Sequence, residues 1–166
     1  YMVASLSLQL LHHGVGVGKP LNDKFTAAYI TRRRQRYGTE VVDHTNVRQV
    51  MAFYDKHRVP TAYMMLADQS PGNPEKCYVT RFLNQTTGVI YGPEYFARKY
   101  DIPVLYYEVV KERIGKYRVD IQVITEHPRE EPPYAITRKY TELLEQTIRR
   151  KPAYWIWSHR RWKHQF

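Results

Sequence analysis

The spacing of apolar positions along the chain changes period several times, and each change marks an element. Val47, Val50, Met51 and Tyr54 recur at intervals of three and four, as do Ile136, Tyr140, Leu143, Leu144 and Thr147. Both series keep to one face of a 3.6-residue helix, so they predict a helix over 46–57, with Asn46 as cap, and another through 136–147. A helix over 22–37 stops at Gly38, and one over 93–100 opens on Pro93, whose fixed φ suits a first turn. Residues 1–11 read as the end of a helix with no capping residue before it, which leads to the expectation that sequence precedes Tyr1.

Short apolar runs predict strands at 15–17, 40–42, 61–67, 78–83, 103–110 and 117–125, the last two joined in a hairpin near Gly115. Residues 61–67 are apolar without interruption between Pro60 and Asp68, the pattern of a strand buried on both faces. Residues 70–74 and 128–133 are rich in turn formers. Helices and strands alternate with no dividing linker. The expectation is one α/β domain over 1–166, a mixed sheet flanked by helices.

Composition narrows the class. Among 166 residues, 43% are hydrophobic and 25% charged, which excludes general disorder. The single cysteine, Cys77, excludes an internal disulfide. No apolar run approaches the roughly 18–20 residues that span a bilayer. The net charge of +10 is carried by two acid-free clusters: Arg32, Arg33, Arg34 and Arg36, and then Arg149, Arg150, Lys151, Arg160, Arg161 and Lys163. The remainder balances. Such clustering calls for an anionic partner.

Three places carry candidate chemistry. With Phe25 taken as the inward residue of its helix, Ala28, Tyr29, Arg32 and Arg36 share its side, and Arg34 lies opposite. Arginines on an apolar face need an anion, supplied either by an internal carboxylate or by a ligand phosphate. Asp68 ends a buried strand and opens a Gly/Pro loop, where α/β folds place ligands and where turn-forming aspartates are also common. In the tail, Trp155, Trp157 and Trp162 interleave with Arg160, Arg161 and Lys163. That pattern fits stacking on bases, a membrane interface, or an aromatic flap closing the core. His12, His13, His44 and His57 show no metal spacing and read as surface or satisfied residues.

The tail, residues 151–163, resembles the closing motif of the lipid A biosynthesis acyltransferase family. Other blocks agree in order: Lys19-Pro20 with Arg32-x-Arg34-x-Arg36-Tyr37-Gly38, then Leu66-Ala67-Asp68-Gln69-Ser70-Pro71-Gly72, then Gly92-Pro93 with Ala97-Arg98 and Ile102-Pro103-Val104. The resemblance covers nearly the whole chain. It implies a glycerolphosphate or lysophospholipid acyltransferase-like fold. The implied activity moves a fatty acyl chain from acyl carrier protein, or acyl-coenzyme A, to a hydroxyl of a lipid A precursor. No further cofactor, metal or nucleic acid is implied. The implied setting is the cytoplasmic face of the bacterial inner membrane, with the chain peripheral or held by an N-terminal anchor. By the same resemblance Lys19, Arg32, Arg34, Arg36, Asp68 and Gln69 bind the acceptor, and the face argument favours Arg32 and Arg36 over Arg34. Trp155, Trp157, Arg160, Arg161, Trp162 and Lys163 would meet the membrane or the carrier protein.

Catalysis in that family rests on a histidine followed, after four residues, by an acid: the imidazole is general base to the acceptor hydroxyl and the carboxylate orients it. None of the seven histidines here has an acid at that position. The expectation is therefore that the dyad lies upstream of Tyr1 and that these 166 residues, as the C-terminal portion of the domain, are inactive alone. An acyltransferase for another glycolipid or aminolipid, a non-catalytic relative, and a basic nucleic-acid-binding module are the alternatives.

Overall fold

The computed structural model describes residues 12–19, 23–36 and 38–166, in two compact units: Tyr1–Leu66 with Lys111–Arg118, and Ala67–Val110 with Val119–Phe166. The helix expected over 1–11, Pro20 and Tyr37 lie outside the described residues.

In the first unit, β1 (His13–Gly18), α1 (Lys24–Gln35), β2 (Glu40–Asp43), α2 (Val47–Lys56) and β3 (Thr61–Met65) follow in turn. The strands form a parallel sheet in the order β2-β1-β3, with Gly18 beside Asp43 and Val17 beside Met65. The path steps one way from β1 to β2 and back across to β3. Right-handed crossovers then put the two helices on opposite faces. The side chains agree. Tyr54 of α2 meets His13 and Glu40, whereas Arg34 of α1 lies over Gly16, Val41 and Met64 on the other face.

Helix α2 follows its predicted stripe, burying Val47 and Met51. Asn46 stands at its cap, but by backbone alone, with its carbonyl accepting from Gln49 and Val50. Asp23 caps α1, accepting from the Thr26 amide at 2.6 Å, and Gly38 ends it with a φ of +92°. The face of α1 is the reverse of the expectation. Phe25 is 89% exposed, and Tyr29, Arg32 and Arg36 are exposed as well. The covered stripe is Ala27, Ile30, Thr31 and Arg34. This is an i, i+3, i+4, i+7 series of small and branched side chains, completed by the arginine's methylenes. Phe25 is the most apolar residue of the helix, but it belongs to the other stripe.

At the amino ends of β1 and β2, His13 Nε2 lies 2.9 Å from Glu40 Oε2, and the Tyr54 hydroxyl donates to the same oxygen at 2.5 Å. Burial pushes the Glu40 carboxyl up, but the hydrogen bonds from Tyr54 and His13 outweigh it and leave the pKa below its ordinary 4.5. The same bond, with burial, pushes the Tyr54 hydroxyl up to about 12, so it remains a donor.

The second unit carries β4 (Cys77–Phe82), β5 (Gln85–Ile90), α3 (Gly92–Tyr100) and α4 (Ala135–Arg150), and most of the hairpin strands β6 (Val104–Arg113) and β7 (Lys116–Thr125). β4 and β5 pair antiparallel through a tight turn whose two residues, Leu83 and Asn84, both have positive φ. Such primed turns match strand twist and usually carry glycine. With leucine in the turn, and threonines and a glycine in the strand, β5 escaped the apolar pattern. The α/β class holds among the described residues: four helices, one parallel sheet and two hairpins.

Glu94 organises this unit. Its side chain is 0% exposed, yet every contact it makes is a donor: the amides of Tyr134 and Thr137 at 2.8 Å, the Thr137 hydroxyl at 2.7 Å and Arg98 Nε at 3.0 Å. The carboxylate of α3 thus caps the amino end of α4, where backbone N–H groups lack helical partners and the dipole favours negative charge. Arg98 passes the charge on to the carbonyls of Glu131 and Pro132. Phe82, Val89, Phe96, Ile136 and Leu143 form the apolar core of the unit.

Two outcomes follow from these networks. Glu94→Ala leaves the guanidinium and two amides buried without their anion, so urea unfolding should show a loss of about 3–5 kcal/mol; a loss below about 1 kcal/mol contradicts this role. Glu40, with its depressed pKa, contributes stability that is present above about pH 4.5 and lost as pH falls through the folded value. Wild type and Glu40→Gln should therefore converge in stability between about pH 6 and pH 3. A constant difference between them contradicts the network.

Candidate functional site

Ligands of parallel α/β sheets bind outside the carboxyl ends of the strands, where the chain path reverses direction. In the first unit that edge is Gly18-Lys19 after β1, Asp43-His44 after β2 and Leu66 after β3. Gly14, Gly16 and Gly18 give β1 one face without side chains, and Arg34 comes down on it. Its Nη1 lies 4.0 Å from where a Cβ of Gly18 would stand. A small recess there is lined by Gly16, Val17, Thr39, Val41, Met64, Leu66 and Arg34. Lys19 follows Gly18 directly and is exposed.

The same edge holds a histidine–carboxylate pair. His44 Nδ1 lies 3.0 Å from Asp43 Oδ1, and the His44 amide donates to the Gly18 carbonyl at 3.0 Å. Asp43 Oδ1 also accepts from the amide and hydroxyl of Thr45, both at 2.8 Å, and these bonds hold its carboxyl below the usual carboxylate range. The His13–Glu40 pair is built alike, but it stands at the amino ends of the strands, away from Lys19 and Arg34. Neither pair was visible as a sequence spacing. His13 and Glu40 are 27 residues apart, and Asp43-His44 is a neighbouring pair in the reverse order.

Of the arginines, Arg34 is therefore the one turned toward the sheet, while Arg32 and Arg36 lie on the exposed side of α1. The preference for Arg32 and Arg36 as inward groups is corrected. Its premise was that Phe25 marks the buried side.

In the second unit, Asp68 and Gln69 sit half-buried in the loop that runs to a single 3₁₀ turn at Pro74–Lys76. Asp68 Oδ1 has no exposed surface. Burial, and then the Asp68 charge, push the Tyr107 hydroxyl up to about 12, and Tyr106 is raised chiefly by burial. Asp68 also acts electrostatically on Arg161: burial pushes the guanidinium down, and Tyr140, Asp68 and Cys77 oppose it.

Arg161 corrects the reading of the tail. It is 4% exposed, donates to the Gly88 carbonyl at 2.9 Å and lies over the Phe82 ring. Trp162 donates from its indole nitrogen to Thr87 Oγ1 at 2.8 Å, and Trp155 stands edge-on to Phe82, Trp157 and Trp162. These three close the β4–β5 core. Arg161 has no surface left for a membrane or carrier protein. Trp157, Arg160 and Lys163 remain exposed. Aromatic–cation interleaving alone does not reveal which members face inward.

Chemically, the carboxyl edge of the first unit presents the Arg34 guanidinium beside a small recess lined chiefly by apolar side chains, with Lys19 exposed next to Gly18. Among the described residues no helix is long and apolar enough to cross a membrane. No curated protein matches the chain. The family model described as bacterial lipid A biosynthesis acyltransferase matches residues 3–164. The chain belongs to that family, and with it to acyl transfer in lipid A and lipopolysaccharide synthesis.

Proposed function

We propose that these residues are the C-terminal portion of an acyltransferase domain. The domain moves a fatty acyl group from an acyl carrier protein thioester, or from acyl-coenzyme A, to a hydroxyl of a lipid A precursor at the cytoplasmic face of the inner membrane. The observation that carries the reading is the Arg34 guanidinium standing by Gly18 at the carboxyl edge of the parallel sheet, with Lys19 exposed next in sequence, in a chain of this family. A guanidinium and an ammonium there suit a phosphorylated sugar headgroup, with the arginine supplying a planar fork and the lysine a point charge. The exposed Arg160 and Lys163 suit an acidic carrier protein.

In the reaction the acceptor hydroxyl attacks the thioester carbonyl. A C–O bond forms, the C–S bond breaks, and the hydroxyl proton passes through a base to the departing thiolate. That base is assigned to the family's His-x4-acid dyad, which the 166 residues do not contain.

The 166-residue chain, given acyl carrier thioester and lipid A precursor, should therefore show no turnover, while the protein extended upstream through a dyad should be active. Turnover by the short chain that disappears in His44→Ala would overturn this and move the base to His44. In the extended protein, Arg34→Ala should raise KM for the acceptor roughly 10- to 100-fold, the scale of one charge-assisted contact. Arg32→Ala should change it less than about threefold. The opposite ranking contradicts the site.

A further inference from the structure

The turn between β6 and β7 is built from Ile114 and Gly115, the glycine at a φ of +75°. Tight turns favour Gly, Asn, Asp, Pro and Ser, which solvate well or reach unusual backbone angles. Here a large aliphatic side chain stands at the apex, 92% exposed, and Tyr117 beside it is 47% exposed. The strands below the apex carry Lys111, Arg113, Lys116 and Arg118 against one acid, Glu112, a net charge of +3 over eight residues. Glu112 is already engaged, 2.9 Å from Lys116 Nζ and 3.3 Å from Arg118 Nε. No sequence motif and no step of the proposed reaction uses this tip.

From this we infer that the Lys111–Arg118 tip is a membrane-docking element: Ile114 enters the interfacial region of an anionic bilayer while the flanking cations rest on lipid phosphates. The shape selects the occupant. A single aliphatic side chain on a convex apex gives a protein partner little area to cover. Nucleic acid would use the cations and leave Ile114 in water. A bilayer accepts both at once, with the aliphatic group at the depth of the acyl boundary and the amphipathic stems of lysine and arginine reaching back to the headgroups. Contacts this few make a weak, reversible hold, one that lets an enzyme leave after product release. The inference rests on the acyltransferase reading only in that the acceptor is a membrane lipid.

Vesicle binding tests it without any turnover. The 166-residue chain is co-sedimented with vesicles of phosphatidylethanolamine and phosphatidylglycerol, and separately with pure phosphatidylcholine. Binding should favour the anionic vesicles and weaken with salt. Ile114→Ser should reduce it about tenfold, and Arg113→Ala about fivefold, the scale of one basic residue near the surface. An environment-sensitive dye on Ile114→Cys, in a Cys77→Ser background, should shift to the blue on binding. Unchanged urea midpoints show that the variants fold. Wild-type binding in both variants, a dye that does not shift, or loss confined to Phe25→Ser on α1 would each overturn the inference. So would preference for single-stranded DNA over anionic vesicles. Failure of the acyltransferase reading would appear elsewhere, as absent turnover in an extended protein that still binds vesicles through Ile114.

Discussion

A parallel strand with glycine at every second position sets the terms for the first unit. Side chains on β1 point one way only, as His13, Val15 and Val17. The opposite face is bare backbone, and its space is taken by the side chains of Met64 and Thr39 at Gly16 and by the Arg34 guanidinium at Gly18. Helix α1 packs against β2, and Arg34 reaches past it to the bare face until its guanidinium stands by Gly18. A Cβ at Gly18 would meet that guanidinium at van der Waals distance. The same constraint delivers a charge to the carboxyl edge and leaves the aromatic side of α1 uncovered by the described residues.

The positive charge of the chain is not one feature. Arg98 and Arg161 are internal: one anchors Glu94 to the loop before α4, the other holds the tail to the Gly88 carbonyl. Arg150 and Arg149 are tied to Glu108 and Glu145. Exposed cations also stand at Lys19 after β1, on the outer side of α1, at the ends of the tail and at the hairpin tip. Net charge reports that an anion is expected. Burial and partners report where.

Much of this was legible because helical and strand periods are properties of local sequence. The stripe of α2 could be read directly, and the Gly115 hairpin announced itself through a glycine between two alternating segments. The apolar run at 61–67 did mark a strand, but not one buried on both faces: among the described residues β3 is a sheet edge and only its Met64 is buried. What escaped reading depended on partners distant in sequence. Glu94 looks like any first-turn acid until the amino end of α4 is placed against it. The face of α1 was misjudged because the largest apolar side chain was taken as the anchor, when the stripe that packs is set by the helix's place against β2. β5 was lost because its turn uses Leu83 and Asn84 in a conformation usually left to glycine. The site was legible in its members and not in its geometry: Lys19 and Arg34 could both be named, but the approach of Arg34 to Gly18 could not be read.

The central claim is that an anionic glycolipid headgroup is held at the carboxyl edge of the parallel sheet. The most direct measurement is a ¹⁵N–¹H correlation spectrum of the 166-residue chain titrated with a water-soluble phosphorylated glucosamine disaccharide. On this account the saturable shifts gather at Gly16, Gly18, Lys19, Arg34 and His44. Shifts confined to the Trp155–Lys163 tail, with the sheet edge silent, would contradict it.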